Sequence, residues 1–385
     1  MAQPNPLSAH YRDKVWLRMK KKPKLTDNHL IRTVDLFAGC GGLSVGMMEA
    51  CRRLKLGHKI ELANEWDEKV LAIFKENLDP TLAICGDVTE LFNGQLNSSK
   101  MTTGEKNLIN KYPGILEPDI LTGGPPCQGH SNLNNHSRRK DPRNNLYYRM
   151  VRAARILKPK AIIIENVSAV IHSKERVVQN SEKMLEKMGY HIESITILAN
   201  EFGVPQKRRR HFLFASRVSK PDLSILEQYR MSESRTLHWA IEDIQREYNA
   251  EDLFNQPAKS SPENQARMDW LIDNNEWNLP NHLRPRCHKN GHTYPSVYGR
   301  MKWDEPSPTI TAGFRCNGRG RFTHPSAKPG RPLTPHEAAR IQTFPDWFSF
   351  EGHNLTTMTK AIGNAVPPLL AMHVANIAIQ ALGND

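Results

Sequence analysis

Residues 33–47 read TVDLFAGCGGLSVGM, and this stretch decides the fold of the chain. Its apolar start, 33–37, predicts a strand, and the glycines that follow predict a tight turn whose bare backbone can approach a ligand. From Leu43 to Leu54 apolar side chains recur at i, i+4, i+7 and i+11, which predicts a helix directly after the turn. The turn departs from the dinucleotide fingerprint G-x-G-x-x-G, because residues 43–45 separate the glycine pair from Gly46. A strand, a glycine turn and a helix N-terminus together favour a cofactor site.

The same alternation of strand and helix continues downstream. Helical patterns separate most of the later strands, and one of them, 146–157, leads into a nearly continuous apolar run. Strands that alternate with helices favour βαβ units and a parallel sheet covered on both faces. The sequence therefore predicts an α/β fold with a Rossmann-like sheet, whose further strands are 59–63, 82–85, 119–122, 160–164, 190–198 and 211–215.

Acidic residues follow the second and third predicted strands. Glu65 ends the second, where a carboxylate can accept from both hydroxyls of a ribose, and Trp66 beside it can stack on adenine. Asp87 follows the third, where it can accept a hydrogen bond from an adenine amino group. Taken singly, each acid is typical of a solvated loop. In register with the glycine turn, they match the common layout for S-adenosylmethionine in such sheets.

Cys127 lies in the run GGPPCQ, residues 123–128, directly after the predicted strand 119–122. Two prolines fix the backbone before the thiol, and two glycines allow a close approach of backbone to a ligand. Open α/β sheets bind their ligands at the carboxyl ends of the strands, where this cysteine emerges. A lone cysteine is more often a small buried apolar residue, whereas this frame favours a reactive thiol.

Four regions follow from composition and periodicity. Residues 1–30 are polar and basic, with KKKPK at 20–24, and we expect a solvated arm rather than a targeting signal. Residues 31–216 carry the regular alternation and form the expected catalytic domain. Residues 217–330 lack a sustained helical period and are rich in Pro, Asn, Arg and aromatic residues, which predicts a smaller irregular domain. Regularity returns over 331–385, with a capped helix start and a last apolar helix.

The 385 residues carry a formal net charge of +13, from 53 Lys and Arg against 40 Asp and Glu. This balance suits a polyanionic partner, nucleic acid first and an anionic membrane surface second. No apolar stretch reaches membrane-spanning length, and residues 1–16 lack the apolar core of a secretion signal, so we expect a soluble intracellular protein. The six cysteines form no CxxC pair, which argues against a disulfide scaffold. Cys287, His288 and His292 fit no common metal spacing, and we expect no metal.

Five motifs occur in a particular order along the chain. They are the glycine turn at 35–42, PPCQ at 125–128, ENV at 165–167, QKRRR at 206–210 and GNAV at 363–366. In these motifs the chain resembles the DNA cytosine-5 methyltransferase family of the prokaryotic restriction–modification type. The resemblance runs from about residue 33 to the C-terminus, with 217–300 the least matched part. It implies an enzyme that transfers a methyl group from S-adenosylmethionine to C5 of a flipped-out cytosine in a specific duplex DNA sequence.

The resemblance also implies chemical roles. Cys127 would add to C6 of the cytosine as a thiolate, because C5 is a poor nucleophile until the ring becomes enamine-like. Glu165 would hold the N3 and exocyclic amino edge, and Arg210 would orient base and acid, with Arg208 beside it as an accessory. Some charges of the QKRRR run are equally suited to binding phosphates. The segment 132–143 resembles the family's mobile loop, which closes over the flipped base.

Cofactor contacts carry over from the family in the same way. Because two of them stand near the end of the chain, the C-terminal segment is expected to return to the catalytic domain. Two positions depart from the family: His130 stands where phenylalanine is usual, and Ala365 where serine is frequent, which bears on local packing only. The matching positions are Phe37, Gly39, Gly41, Glu65, Trp66, Asp87, Val88, Pro126, Leu146, Asn364 and Val366.

By the same resemblance, 217–330 would be the target-recognition domain. Its Asn, Arg and Gln side chains can read base edges in the major groove, and its lysines and arginines can hold phosphates. PTIT at 308–311 resembles the family's short threonine motif near the end of this domain. The recognised DNA sequence does not follow from these residues.

Two other functions remain open at this point. One is an RNA cytosine-5 methyltransferase of the same fold, although the Cys-Phe-Thr signature of the transfer-RNA branch is not present. The other is a DNA-binding homologue without catalysis, although the chain retains both the cysteine and the cofactor glycines. As partners we expect double-stranded DNA and no membrane, with a separately encoded restriction endonuclease as a candidate. We expect a monomer in the cytoplasm, associated with the nucleoid.

Overall fold

The computed structural model of the protein describes residues 6–26, 28–126, 145–173, 175–245, 251–289 and 296–383. The predicted nucleophile Cys127, the variant position His130 and the segment 132–143 lie outside these ranges, as do His292 and the Cys287 side chain. Within the described ranges, one large sheet forms the centre of the protein and apolar clusters cover both of its faces.

The strands of the described ranges form one large and one small sheet. They are β1 Leu30–Leu36, β2 Gly57–Glu65, β3 Ala83–Cys85, β4 Ile120–Gly123, β5 Ala161–Val167, β6 His191–Leu198, β7 Gln206–Lys207, β8 Arg209–Ser216 and β9 Ser307–Pro308. The large sheet has the order β3-β2-β1-β4-β5-β8-β6, and β7 pairs with β9 in the small one. Its strands correspond to the seven apolar runs of the sequence, so the predicted α/β Rossmann-like fold is confirmed.

One strand departs from the predicted parallel arrangement. β1 to β5 run parallel, whereas β8 runs antiparallel to both β5 and β6. The reason is the short connection from β6, since parallel neighbours need a long crossover and antiparallel ones do not. The reversal has a consequence for the site: the first residues of β8 lie at the edge where β5 ends, with Arg210 opposite Val167.

Helices cover the sheet and connect its strands. Side chains fix several of their starts: Asp67 caps α3, and the predicted helix start at 334–337 is a full capping box in which Thr334 and Glu337 exchange hydrogen bonds. The helices are α1 Pro6–Leu17, α2 Gly42–Leu54, α3 Glu68–Leu78, α4 Val88–Leu91, α5 Thr103–Lys111, α6 Asn145–Leu157, α7 Val177–Glu186, α8 Leu237–Ile241, α9 Pro262–Asp273, α10 Pro335–Ile341, α11 Leu355–Asn364 and α12 Pro368–Gln380.

The last helix packs against the first helix of the sheet. α12 lies along α2, and Gly46 makes the close approach possible, because a Cβ at Gly46 would lie 2.3 Å from the Cβ of Ala371. Their side chains share one apolar cluster with α10 and α11, while α6 and α7 cover the opposite face of the sheet. The C-terminal segment thus lies beside the glycine turn.

Irregular structure prevails over 217–330, but the described part of this segment contains two α-helices. α8 packs against α10 and contributes to the same apolar cluster. α9 begins behind a Ser261 cap, and the sequence analysis missed it. Its buried side chains are confined to Met268, Leu271 and Ile272, so the apolar period spans about one turn and gives no sustained signal.

The prediction of a solvated arm over 1–30 is wrong for α1. Trp16 and Leu17 are 1% and 0% exposed, and Asp13 is also buried. The Asp13 carboxylate accepts from Arg53 on α2 and from Arg235 before α8, each at 2.7 Å. These partners stand 40 and 222 positions away along the chain, so the composition of the segment could not reveal them.

Asp13→Ala is expected to destabilise the protein by about 3 kcal/mol, because it leaves Arg235 buried without its anionic partner. Burial alone would raise the pKa of Asp13, but Arg53 and Arg235 lower it below its ordinary value of 3.8. The contribution of the Asp13 ion pairs to the free energy of unfolding is therefore fully present above about pH 4. It is lost as the pH falls through the lowered pKa of Asp13 in the folded state. Urea unfolding at pH 7 measures it, with the exposed Asp304→Ala as control. Equal free energies of unfolding for the two variants would contradict the prediction.

Within the described ranges, no single helix is long and apolar enough to cross a membrane. α11 and α12 taken together, with a bend of 41° between them, meet that criterion by length and composition only. Most of their side chains are buried inside the protein, which accounts for their apolar composition.

Candidate active site

The carboxyl end of β1 opens into the glycine turn before α2. Phe37, Gly39 and Gly41 have positive φ angles of 55°, 56° and 99°, so the backbone enters the left-handed region three times. Gly41 is tightly enclosed, since a Cβ there would lie 2.3 Å from Leu78 Cδ1. A phenylalanine in this conformation is strained, and such residues cluster at functional sites. The turn presents bare backbone and a half-buried aromatic ring at the edge of the sheet.

Glu65 ends β2 beside this turn and is 7% exposed. One of its carboxylate oxygens accepts from the Gly39 N–H at 3.0 Å, and the other accepts from the Asp67 N–H at 3.1 Å. Burial raises the pKa of Glu65 above its ordinary value, and these hydrogen bonds oppose the shift. Each carboxylate oxygen can accept a second hydrogen bond, so both remain able to receive a ribose hydroxyl.

The next predicted cofactor residues stand at neighbouring positions of the same edge. Trp66 is 68% exposed, which leaves its indole open to a ligand. Asp87 follows β3 and is exposed. Its carboxylate caps α4 by accepting from the Thr89 N–H at 2.8 Å. Val88, the first residue of α4, is buried. Because β3, β2 and β1 are adjacent, the glycine turn, Glu65 and Asp87 form one row.

The C-terminal segment reaches this edge through the turn between α11 and α12. A Cβ on Gly42 would lie 2.2 Å from the Val366 carbonyl oxygen, so only glycine permits this contact. Val366 is buried and Asn364 is exposed at the end of α11. On the other flank, Leu146 packs against the same apolar cluster as Phe37. The C-terminal segment therefore lies directly against the end of the glycine turn.

The backbone after β4 passes the end of β5 on its way to Cys127. The Asn166 side chain donates to the Pro125 carbonyl at 2.9 Å. A Cβ on Gly124 would lie 3.1 Å from Glu165 Oε2, so the backbone runs directly beside that carboxylate. Pro126, the last described residue before the cysteine, is half-buried. Residues 124–126, which include the two prolines of the PPCQ motif, thus meet the ENV motif at one edge of the sheet.

Glu165 forms an ion pair with Arg210, whose Nε lies 2.7 Å from Glu165 Oε1. Glu165 stands opposite Phe212 and Arg210 opposite Val167, so the two side chains are diagonal neighbours on adjacent antiparallel strands. They are only 11% and 15% exposed. Burial lowers the pKa of Arg210, and the Glu165 carboxylate opposes the shift. Arg210 Nη1 also donates to the Arg209 carbonyl at 2.8 Å, which fixes the guanidinium plane.

Arg208 has different partners from those that the sequence analysis expected. Its side chain is buried, and Nη1 donates to the Ile310 carbonyl at 2.9 Å and to the Gly363 carbonyl at 3.3 Å. Burial lowers the pKa of this guanidinium well below its ordinary value. Arg208 therefore joins the segment after β9 to the end of α11, and its hydrogen bonds do not reach Glu165.

Two glutamines complete this junction. Gln206 accepts from the Ile310 N–H at 2.9 Å and donates to Gln342 Oε1 at 2.8 Å. Gln342 in turn donates to the carbonyls of Ile362 at 2.6 Å and Ala365 at 3.3 Å. The QKRRR run pointed to Gln206, but the sequence analysis assigned it no role. Nothing in the sequence marked Gln342, whose importance appears only from its contacts.

Asp35, at the end of β1, is a further residue to which the sequence analysis gave no role. It is fully buried, and Ser44 Oγ donates to its Oδ2 at 2.6 Å. Burial raises the pKa of Asp35 to about 6, and hydrogen bonds from Ser44 and Thr122 oppose the shift. The Glu65 carboxylate, the exposed Trp66 indole and the bare glycine backbone suit the hydroxyl and adenine groups of S-adenosylmethionine. The residues present therefore fit that cofactor.

Four cysteine side chains lie within the described ranges, and they differ in exposure. Cys40 and Cys51 are buried, and burial raises the pKa of each thiol to about 12, so neither supplies a thiolate near neutral pH. Cys85 and Cys316 are exposed. Within the described ranges, no three His, Cys, Asp or Glu side chains come together in a way that could hold a metal ion.

The sequence matches the C-5 cytosine-specific DNA methylase family over residues 31–380. It is 42% identical over 368 residues to the type II methyltransferase M1.BsuMI of Bacillus subtilis, covering 94% of this chain and 84% of that protein. It is 30% identical over 354 residues to the type II methylase M.HgiDII of Herpetosiphon aurantiacus, covering 89% of this chain and 93% of that one.

Solved structures show the same fold. The crystal structure of a prophage-encoded Escherichia coli protein, described as a DNA modification methyltransferase, superposes with a TM-score of 0.64 at 21% identity and covers 92% of this chain and 100% of that one. The family match extends over nearly the whole chain and includes every motif gathered at the sheet edge. The chain therefore belongs to the C-5 cytosine-specific DNA methylase family, and it is an S-adenosylmethionine-dependent enzyme that methylates cytosine at C5 in DNA.

Proposed function

We propose that this enzyme methylates one cytosine within a specific duplex sequence, as the modification enzyme of a type II restriction–modification system, with Cys127, Glu165 and Arg210 carrying the chemistry. One observation supports the assignment above others: residues 124–126, which lead directly into Cys127, lie against Glu165 and its ion pair with Arg210. Sequence specificity is supported by the relatives at 42% and 30% identity, which are type II enzymes.

Cys127 would make C5 of the cytosine reactive. Its thiolate adds to C6, so a sulfur–carbon bond forms and the electron pair of the C5–C6 double bond becomes available at C5. When bound, S-adenosylmethionine would supply an electrophilic methyl group for C5, with the methyl–sulfur electron pair returning to its sulfonium sulfur. Loss of the C5 proton to a base then restores the double bond and expels the thiolate, which regenerates Cys127.

Glu165 and Arg210 would act on the opposite edge of the ring. Thiolate addition pushes negative charge towards N3, and a hydrogen bond or proton delivered there stabilises the adduct. Glu165 would hold N3 and the amino group, and its 2.7 Å ion pair with Arg210 would keep the carboxylate in position. Arg208 would act as a positioning residue, because its guanidinium binds backbone carbonyls of two other segments.

The target base would have to leave the duplex. Glu165 is buried at the edge of the sheet, out of reach of a stacked base, and flipping costs about a few kcal/mol of stacking and pairing. The segment 132–143, proposed as the loop that closes over the flipped base, would exclude water from the adduct.

S-adenosylmethionine would lie along the row formed by β1, β2 and β3. In this arrangement Glu65 receives the ribose hydroxyls, Trp66 stacks on adenine, and Asp87 accepts from the adenine amino group. The remaining proposed contacts enclose the cofactor, and they are Phe37, Gly39, Gly41, Val88, Pro126, Leu146, Asn364 and Val366.

Glu65→Ala is expected to weaken cofactor binding by about 1–3 kcal/mol, the range for hydrogen bonds to a charged group. Glu65→Gln should lose less binding free energy for the cofactor, because the glutamine keeps one acceptor oxygen for the Gly39 or Asp67 N–H. Calorimetric titration measures both variants. Glu61→Ala is the control, since this carboxylate lies on the same strand but pairs with Arg32 at 3.1 Å. An unchanged dissociation constant for Glu65→Ala would leave Glu65 with a structural role only.

Residues 217–330 would read the DNA sequence. The segment combines buried anchors with exposed cations, and phosphate contacts position a protein while base contacts specify the sequence. β9 and Ile310 anchor its end to Gln206 and Arg208, beside the catalytic edge. Exposed cations of the segment include Arg217, Lys259, Arg286, Lys289, Arg319 and Lys328.

Exchange of residues 246–306 for the equivalent segment of a related type II enzyme is expected to change the methylated sequence and leave the chemistry intact. These bounds retain α8, which packs against α10, and the hydrogen bonds to Ile310. Methylation mapping of one genome that expresses the parent or the hybrid gives the result, and the hybrid with Cys127→Ser is the control for background methylation. An active hybrid that kept the parental site would place specificity outside 246–306, either in the retained parts of 217–330 or in the segment 132–143.

The enzyme would act as a monomer in the cytoplasm, at the nucleoid, beside a separately encoded restriction endonuclease. The monomer is supported by the sheet edge, which gathers its proposed residues from one chain. Light scattering at micromolar concentration tests it. A gene deletion tests for the restriction endonuclease. Deletion of this gene alone should cause loss of viability, and additional deletion of a neighbouring nuclease gene should restore it.

A further inference from the structure

Lys360, on α11, contacts the residue proposed to stack on adenine. Its Nζ lies 4.5 Å from the centroid of the Trp66 ring and 2.5 Å from Asp67 Oδ2. We propose that Lys360 is a positioning residue for the cofactor: its ammonium backs one face of Trp66, so that the open face of the indole receives adenine. The inference rests on the proposed placement of adenine on Trp66.

The exposure of Trp66 makes such a support necessary. Its side chain is 68% exposed, so little apolar packing holds the ring in one orientation. A cation over an aromatic face is attracted by the quadrupole of the ring, and more strongly where water is partly excluded. The Lys360 side chain is 36% exposed and meets that condition. A cation on one face also makes the opposite face less electron-rich, which favours stacking of an electron-rich base there.

The position of Lys360 is fixed by its side-chain partner and by the helix that carries it. Asp67 binds its ammonium and also caps α3 through the Lys69 and Val70 N–H groups, so the carboxylate is fixed in place. Burial would raise the pKa of Asp67, but Lys360 and the cap hydrogen bonds lower it below its ordinary value. The C-terminal end of α11, four residues after Lys360, leads into the turn whose Val366 carbonyl touches the glycine turn. Lys360 thus connects the adenine edge with the C-terminal side of the cofactor pocket.

The chain offers a matched control pair away from this edge. Lys302 Nζ lies 5.5 Å from the centroid of the Trp277 ring and 2.8 Å from Glu305 Oε1. Its side chain is 37% exposed, nearly the same as that of Lys360. Lys302→Met therefore removes a lysine with a similar set of partners and leaves Trp66 untouched.

The test is the affinity for S-adenosylmethionine and for S-adenosylhomocysteine, titrated calorimetrically without DNA. Lys360→Met is expected to weaken both about threefold to tenfold, because both ligands carry adenine. Lys360→Arg should restore most of the loss, since a guanidinium also stacks on an indole. Lys302→Met should stay within about twofold of the parent. In the double variant, Trp66→Ala with Lys360→Met should bind no more weakly than Trp66→Ala alone, because the lysine acts through the ring.

The outcomes separate this inference from the site assignment on which it rests. Unchanged affinity in Trp66→Ala would overturn the placement of adenine and the inference with it. Weakened binding in Trp66→Ala with parental binding in Lys360→Met would overturn the role of Lys360 alone, as would losses that multiply in the double variant. If Lys360→Met fails to fold, Asp67→Asn serves as the second variant. It keeps the α3 cap and removes the anionic partner of the Lys360 ammonium, and it should weaken the binding of both ligands.

Discussion

Cys127→Ser is expected to lower the rate of methyl transfer by on the order of a thousandfold or more, with nearly unchanged affinity for S-adenosylmethionine. A serine hydroxyl is far less acidic than a thiol, so it does not add to C6 as an anion near neutral pH. Tritium transfer from labelled cofactor to duplex DNA measures the rate. A duplex that carries 5-fluorocytosine should trap the parent as a covalent complex, because fluorine does not leave as a proton does, and should not trap Cys127→Ser.

Cys316→Ser is the matched control, because this thiol is exposed and lies outside the five motifs. Its activity should stay within about twofold of the parent. Cys40 and Cys51 offer no substitute nucleophile, since burial raises the pKa of each to about 12. Activity of Cys127→Ser within about tenfold of the parent would remove Cys127 from the mechanism.

Glu165→Gln is expected to lower kcat by about a hundredfold to ten-thousandfold, the range for loss of a group that transfers or stabilises a proton. The amide keeps the size of the side chain and can still accept from Arg210, so the protein should remain folded. It lacks the acid–base capacity needed at N3 as the thiolate adds. Steady-state methylation of a duplex with the mapped target site measures kcat, and thermal unfolding measures the retained fold.

Glu193→Gln is the control for this substitution. Glu193 lies on β6 in the same sheet and pairs with Lys220 at 2.7 Å, away from the carboxyl edge. Its rate should stay within about twofold of the parent. A parental kcat in Glu165→Gln would show that Glu165 acts only through packing and its ion pair with Arg210.

The central sheet could be predicted from the sequence because its signals are local. A strand buried on both faces is a short apolar run, and a glycine turn followed by a helical apolar period needs no distant partner. The placement of Glu65 and Asp87 beside the glycine turn followed for a related reason, since residues after adjacent parallel strands must meet at one edge, whereas their cofactor contacts stay predictions. Glu65 and Asp87 lie in one row with that turn in the structure. The role of Cys127 stays a prediction, because the cysteine lies outside the described residues.

By itself, then, the amino-acid sequence determined the strands of the large sheet, the glycine turn and the order of the motifs, all through local periodicity and backbone preference. Only the tertiary structure decided the direction of β8, since periodicity carries no direction. It also decided the partners of charged side chains, such as Asp13 with Arg235 and Lys360 with Asp67, which stand 222 and 293 positions apart. A charged residue in a sequence is equally compatible with solvent and with a buried partner. Folding selects between them by bringing an opposite charge within hydrogen-bond distance and excluding water.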